Sequence, residues 1–345
     1  MLNQEILYPT STSIRNLPIN LNPQDLELFD HELKRIIPAT TLLYLKDITV
    51  NPDGLLVCGS EILPQSFPSP RFMDSWKGIR GKLKLWFKNF LSSHRSIDRE
   101  VFWVTDTWSQ GYFHWLTDAL PRLFMIQEKL ENATLLLPGT YQKQEFITSS
   151  LKPFSIQAIE FVHETFHCKD FKIPTHTAPT GNYNESIIRG LRSLYTSFYQ
   201  HECSDLSYSK VYVSRGRAKK RKIANEAECI AVLEEYGFKT IYFEDYSFEQ
   251  QVKIALNAQY LVSNHGAGLT NMLFMKPGSS VLELRRTRAA RRNCYFALSS
   301  ALYLKYFYQL CSSENFNEDT HTANLIVDCH LLRENIERML TRAIV

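Results

Sequence analysis

The chain has 345 residues, 44% of them apolar or aromatic, and a net charge of +3, so it can build about two domains with full cores and carries no electrostatic footprint for a nucleic-acid partner. Its cysteines (Cys58, Cys168, Cys203, Cys229, Cys294, Cys311 and Cys329) are odd in number, scattered and without a C-x-x-C, which reads as free thiols in a reducing compartment rather than a disulfide framework. Met1 to Thr12 lacks a basic region followed by an apolar one, and no apolar run is long enough to span a bilayer, so a cytoplasmic protein is expected, with contact at a membrane surface left open.

In chain order, apolar runs flanking Asn51-Pro52-Asp53-Gly54 predict a hairpin over Thr41 to Cys58. Lys77 to Arg95 is basic and amphipathic: Ile79, Leu83, Trp86, Phe87, Phe90 and Leu91 recur at helical spacing, and such a helix suits either an anionic membrane interface or ordinary packing with a solvated basic face. Val101 to Val104 and Thr134 to Leu137 read as strands, with a helix from Phe113 to Leu130 between them that Pro121 kinks or ends. Ser155 to Val162 and Phe171 to Ile173 read as extended, and Glu185 to Gln200 as helical. The second half alternates more cleanly. Strands are expected at Lys210 to Val213, Phe238 to Phe243, Tyr260 to Val262 and Val281 to Leu284. Helices are expected at Asn225 to Tyr236, closed by Gly237, and at Ser247 to Asn257, where Ser247 and Gln250 have capping-box spacing. Asp328 to Ala343 reads as an amphipathic helix. The polar stretch Glu202 to Ser209 is the expected domain boundary.

Several residue patterns suggest chemistry. Between Val262 and Leu269 the chain runs strand, small-residue turn, short helix; this lets backbone approach a ligand and offers free N–H groups at a helix start to an anion such as a diphosphate. It is not the dinucleotide fingerprint, because Asn271 stands at the third glycine position. A tight connection with no ligand is the plainer alternative. On a helix, His114 and Asp118 lie four apart and share a face, which suits a proton-accepting pair or a simple surface ion pair. Ser214 and Arg215 follow a strand, where open α/β sheets bind ligands, and an arginine there suits phosphate. Glu283 sits in an apolar strand and is read either as a ribose ligand or as a surface-facing residue. His163-Glu164-Thr165-Phe166-His167 matches H-E-x-x-H, but its flanks read as strand, so zinc is not expected.

Three segments in order, Gly111 to Arg122, Val211 to Arg215 with Arg221 and Asn225-Glu226 beyond it, and Asn264 to Leu284, resemble glycosyltransferase family 61, whose bacterial members are usually called capsular polysaccharide biosynthesis proteins. The resemblance implies an α/β, GT-B-like fold of two facing Rossmann-like domains. Residues 1–203 would be the acceptor side carrying His114 and Asp118, residues 204–312 the nucleotide-sugar-binding domain, and residues 313–345 a segment and helix packing back on the first. It implies an inverting transfer of sugar from a nucleotide-diphosphate donor to a glycan or lipid-linked glycan acceptor, without a metal or other cofactor, on or near the cytoplasmic face of the membrane. Catalysis falls on Asp118 as the base, with His114 the second choice. Donor binding falls on Ser214, Arg215, Arg221, Asn225, Glu226, His265, Gly266, Ala267, Gly268, Leu269 and Glu283. A nucleotide-sugar epimerase, or a non-catalytic nucleotide- or glycan-binding subunit of an assembly complex, is the alternative.

Overall fold

The computed structural model describes residues 3–74, 93–200, 206–287, 292–314 and 323–341. Most of the expected basic helix at Lys77 to Arg95 lies outside the described residues. The chain forms two compact units: Met1–Ser11 with Ile37–Thr180, and Thr12–Ile36 with Gly181–Val345. The division differs from the expected one near residue 203, because the helix Glu185–Tyr199 and the early segment Thr12–Ile36 both belong to the second unit.

The strands in chain order are β1 (Asn3–Tyr8), β2 (Ser11–Ile14), β3 (Lys34–Ile37), β4 (Thr40–Val50), β5 (Leu56–Cys58), β6 (Glu61–Ile62), β7 (His94–Ile97), β8 (Val101–Trp103), β9 (Thr134–Pro138), β10 (Ala158–Val162) and β11 (Thr165–Pro174). In the first unit the sheet runs β10-β9-β8-β11-β4-β5-β6, with β1 on β4 and β7 on β11. One half is parallel, from β10 through β8 to β11. The other is antiparallel, because β4 and β5 close as the expected hairpin. Its turn works through two residues: Asn51 Oδ1 accepts the Leu55 N–H (2.9 Å), and Gly54 takes a left-handed φ of 82°. Val50, Val101, Trp103, Leu136 and Phe171 fill the core of this unit.

The second unit carries β12 (Lys210–Val213), β13 (Lys239–Ile241), β14 (Tyr260–Asn264), β15 (Ser280–Arg286), β16 (Lys305–Ser313) and β17 (Leu325–Ile326). Their order is β13-β12-β14-β15-β16-β17, with the first five parallel. The chain starts inside the sheet, adds β13 on one side and then moves to β14 on the other. That reversal opens a crevice at the carboxyl ends of β12 and β14, where doubly wound sheets bind ligands. Helices Glu226–Glu235 and Phe248–Asn257 make the crossovers, and the second starts with the full Ser247/Gln250 capping box. The apolar stripe of the helix Cys329–Thr341 is buried within its own unit. Leu332, Ile336 and Met339 are fully buried among Tyr212, Leu233 and Phe307 of its own unit, because its apolar stripe completes one face of that sheet. Among the described residues no helix is long and apolar enough to cross a membrane.

Candidate active site

In the first unit, chemistry gathers where β8 and β11, parallel neighbours, reach their carboxyl ends. The expected helix at Phe113 is real but interrupted. Tyr112–His114 is α-helical, Trp115–Ala119 is one π turn in which Leu120 N–H bonds Trp115 O, and Leu120–Ile126 is α-helical again. Pro121 has no N–H to give and its ring crowds the preceding turn; the wider turn just before it lets the helix continue. Trp115, fully buried, anchors the turn by donating Nε1–H to Ser150 Oγ (2.7 Å).

His114 Nδ1 lies 2.8 Å from Asp118 Oδ2, and Thr180 Oγ1 donates to the same oxygen (3.1 Å). The carboxylate side chain is only 3% exposed and the imidazole 24%. A carboxylate accepts, so Nδ1 carries the hydrogen and Nε2 of the neutral ring presents its lone pair. The structure brings together the two residues that the sequence paired, and makes the imidazole the more accessible of them.

A second imidazole–carboxylate pair was not foreseen. His176, just after β11, has Nε2 2.9 Å from Asp106 Oδ2, just after β8. Trp108 N–H and Ser109 Oγ–H both donate to Asp106 Oδ1 (2.8 and 3.2 Å). Burial would raise the Asp106 carboxyl, but His176, Arg122 and the Trp108 N–H hold it below its ordinary value. Arg122 is the shared cation. Its guanidinium is buried, Nε donates to Pro174 O (2.9 Å), and Nη1 has no hydrogen-bond partner among the described residues. Burial pushes it down to about 10, against the opposing pull of Asp106 and Asp118. The only hint in the sequence was Arg122 itself, one turn beyond Asp118.

In the second unit, the turn after β14 meets the loop after β12. Gly266 is extended, with φ of 176°, so its glycine is needed for space rather than backbone freedom: a Cβ would stand 2.4 Å from Arg215 Nη1 and 2.9 Å from its Cζ. The guanidinium thus lies directly over the glycine turn. Burial and the charge of Arg221 both lower the Arg215 guanidinium. The short helix expected after the turn is the 3-10 segment Ala267–Phe274, and its first bond runs from Leu269 N–H to Gly266 O (3.0 Å). Ala267 and Gly268 therefore head the helix with amides that have no intrahelical acceptor. The Leu269 side chain is fully buried and belongs to the core.

His265 Nδ1 is in hydrogen-bond contact with Glu283 Oε1, and Tyr306 donates its hydroxyl to the other carboxylate oxygen. Glu283 is 0% exposed, so it is not the surface-facing residue of the plainer alternative; its carboxylate is engaged by His265 and Tyr306. Burial would raise its carboxyl, but Arg285 and His265 hold it below its ordinary value. Three other expected donor ligands also turn inward. Ser214 Oγ and Tyr212 OH both donate to Glu226 Oε1 (2.7 Å each), and Ser214 Oγ accepts the Gly216 N–H (2.9 Å). These bonds shape the loop that carries Arg215. Asn225 pairs with the main chain of Val327 in both directions (2.8 and 3.0 Å), tying the last strand region to the helix start. Arg221 stays in the site. Its φ of 59° is left-handed, its carbonyl is held by Asn264 Nδ2 (2.7 Å), and it lines a cleft with Asn264, His265, Arg285, Arg286 and Arg292. Those last three arginines were not singled out from the sequence: Arg285 and Arg286 lie just beyond the strand expected to end at Leu284, which in fact runs to Arg286.

The H-E-x-x-H match is not helical: His163 lies in the turn after β10 and His167 on β11. Among the described residues, no three or more His, Cys, Asp or Glu side chains form a metal-holding group.

The family model described as Glycosyltransferase 61 matches residues 112–282, a span that holds both the His114–Asp118 pair and the Arg215–Gly266 turn. The chain is 35% identical over 98 residues to the EGF domain-specific O-linked N-acetylglucosamine transferase of Drosophila melanogaster, covering 28% of this chain and 18% of that protein. It is 45% identical over 71 residues to the Protein O-linked-mannose beta-1,4-N-acetylglucosaminyltransferase 2 of Xenopus laevis, covering 20% of this chain and 12% of that protein. To the EGF domain-specific O-linked N-acetylglucosamine transferase of Rattus norvegicus it is 27% identical over 153 residues, covering 40% of this chain and 29% of that protein. The alignments thus span less than a third of these relatives' own length. Residues 112–282 are thus similar to family 61 glycosyltransferases.

Proposed function

We propose that this chain transfers a sugar from a nucleotide-diphosphate donor to a glycan hydroxyl, with inversion at the anomeric carbon. The observation that carries the reading is Arg215 lying over Gly266 at the switch point of a parallel sheet. A partly buried cation crowded by a second arginine is relieved by an anion, and the amides of Ala267 and Gly268 add their dipoles. The leaving diphosphate is that anion. Its negative charge grows as the sugar–oxygen bond breaks, so groups fixed in advance around it lower the barrier without needing a metal.

At the acceptor, His114 takes the role of base. Its Nε2 receives the hydroxyl proton as the oxygen attacks the anomeric carbon, the bond to the diphosphate breaks, and the nucleoside diphosphate leaves with the electron pair. Asp118, buried and bonded to Nδ1, orients the ring and stabilises the imidazolium. This reverses the order of preference drawn from sequence, for a physical reason: the carboxylate has almost no exposure through which to meet a substrate. The GT-B arrangement, independence of metal, service in capsular or other surface polysaccharide assembly, and a place in the cytoplasm or on the cytoplasmic membrane face belong to the same proposal and rest on the family resemblance.

The test is donor binding. Nucleotide sugars and nucleoside diphosphates should raise the melting temperature of the wild type by mass action. Arg215→Ala should weaken nucleoside diphosphate binding about tenfold or more by calorimetry. Unchanged affinity would remove Arg215 from the donor site and the reading with it.

A further inference from the structure

Beside His114 the first unit exposes two adjoining aromatic rings. Trp108 is 37% exposed and Phe72 is 43% exposed, whereas Trp103 and Trp115 of the same unit are fully buried. The two rings pack edge to face at 4.5 Å, and the Trp108 ring lies 4.9 Å from the His114 ring. Large apolar surface left in water costs about 25 cal/mol per Å², and adjoining exposed aromatics mark binding surfaces more often than scattered ones do.

This aromatic surface is also built to stay still. Thr107 N–H bonds Ser66 O (2.9 Å), Trp108 N–H bonds Asp106 Oδ1 (2.8 Å), and Gly111 N–H bonds Trp108 O (2.9 Å). Asp106 Oδ2 also lies 2.9 Å from His176 Nε2, so the unforeseen pair sits at the base of the loop that carries Trp108. A platform ordered before binding loses little entropy when a ligand lands on it.

We propose that Trp108 and Phe72 form a subsite for a neutral pyranose ring of the acceptor glycan. The C–H groups on the apolar face of a pyranose carry partial positive charge and match the negative face of an indole. A ring resting there lies next to His114 and leaves its hydroxyls directed outward, one of them toward Nε2. The inference builds on the transferase reading and narrows its acceptor to a glycan that presents such a ring.

The full chain should show saturation transfer in NMR to the ring protons of a neutral methyl pyranoside, among methyl glucoside, galactoside, mannoside and N-acetylglucosaminide. Trp108→Ala should weaken that binding about tenfold, and Trp108→Phe, which keeps a ring, by no more than about threefold. Thermal melts of both variants monitor folding. Equal glycoside binding by wild type and Trp108→Ala, or no transfer from the wild type to any of the four, would overturn the subsite. Titration with UDP and GDP runs alongside. If neither binds the wild type, the transferase reading fails, while the glycoside result still decides whether Trp108 holds sugar.

Discussion

His114 and Asp118 show how one helical turn divides labour between two residues. The carboxylate is buried and accepts from both His114 and Thr180, so it sets the tautomer; the imidazole is the more exposed of the two. Asp118→Asn would keep the shape and lose the charge that fixes Nδ1–H. Turnover should fall about a hundredfold or more with nucleotide affinity unchanged. His114→Ala should fall by at least as much, and added imidazole should restore part of the rate, because a small base can enter the vacated space. Full activity in Asp118→Asn would deny the carboxylate any part in proton transfer. The pair was legible from sequence because i,i+4 spacing is local. The Asp106–His176 pair was not, because its members follow different strands and only sheet pairing makes them neighbours.

At the scale of elements, the two glycines of the donor turn do different jobs. An added Cβ at Gly266 meets the end of the flexible Arg215 side chain, whereas at Gly268 it meets Val213 Cγ1 at 2.9 Å, inside the core. Gly266→Ala should therefore fold with a nearly unchanged melting temperature but push Arg215 aside and weaken nucleotide binding. Gly268→Ala should cost about 1–3 kcal/mol in stability through overpacking. Denaturation and calorimetry on both variants separate the outcomes, and the same phenotype in both would contradict this division. The helix Cys329–Thr341 offers a second test. Leu332 is wholly buried in the second unit's core, so Leu332→Ala should cost about 2–5 kcal/mol there, read as a lowered denaturant midpoint. Sequence periodicity identified this helix and its apolar stripe, but not the face it covers, since such a stripe fits any apolar surface of suitable shape.

Across the whole molecule, both candidate sites rest on a buried carboxylate next to a histidine and an arginine, and this makes stability depend on acid. Asp106 and Glu283 are both held below their ordinary values in the fold. Their contribution is complete above the unfolded-chain values of about 3.9 and 4.3, and is lost as pH falls through the lower folded values. The stability gap between wild type and Glu283→Gln should thus be constant at neutral pH and narrow on acidification below about pH 4. A gap that widens there would mean that Glu283 is not held ionised. Taken alone, the sequence determined β12 to β15, the helices between them and the last helix, the capping box at Ser247, the turn at Gly54 and the strand–turn–helix at Gly266, because each is written in residues close together along the chain, whereas the helix Cys294–Ala301 and the strands β16 and β17 went unforeseen. The tertiary structure alone decided that Glu283 is sealed from solvent, that Ser214 and Asn225 bond inward, that Arg285, Arg286 and Arg292 join the cleft, and that the last helix completes its own unit. Those outcomes depend on which faces of a sheet are covered and which strand ends become neighbours, and neither spacing nor composition encodes contacts made across so many residues.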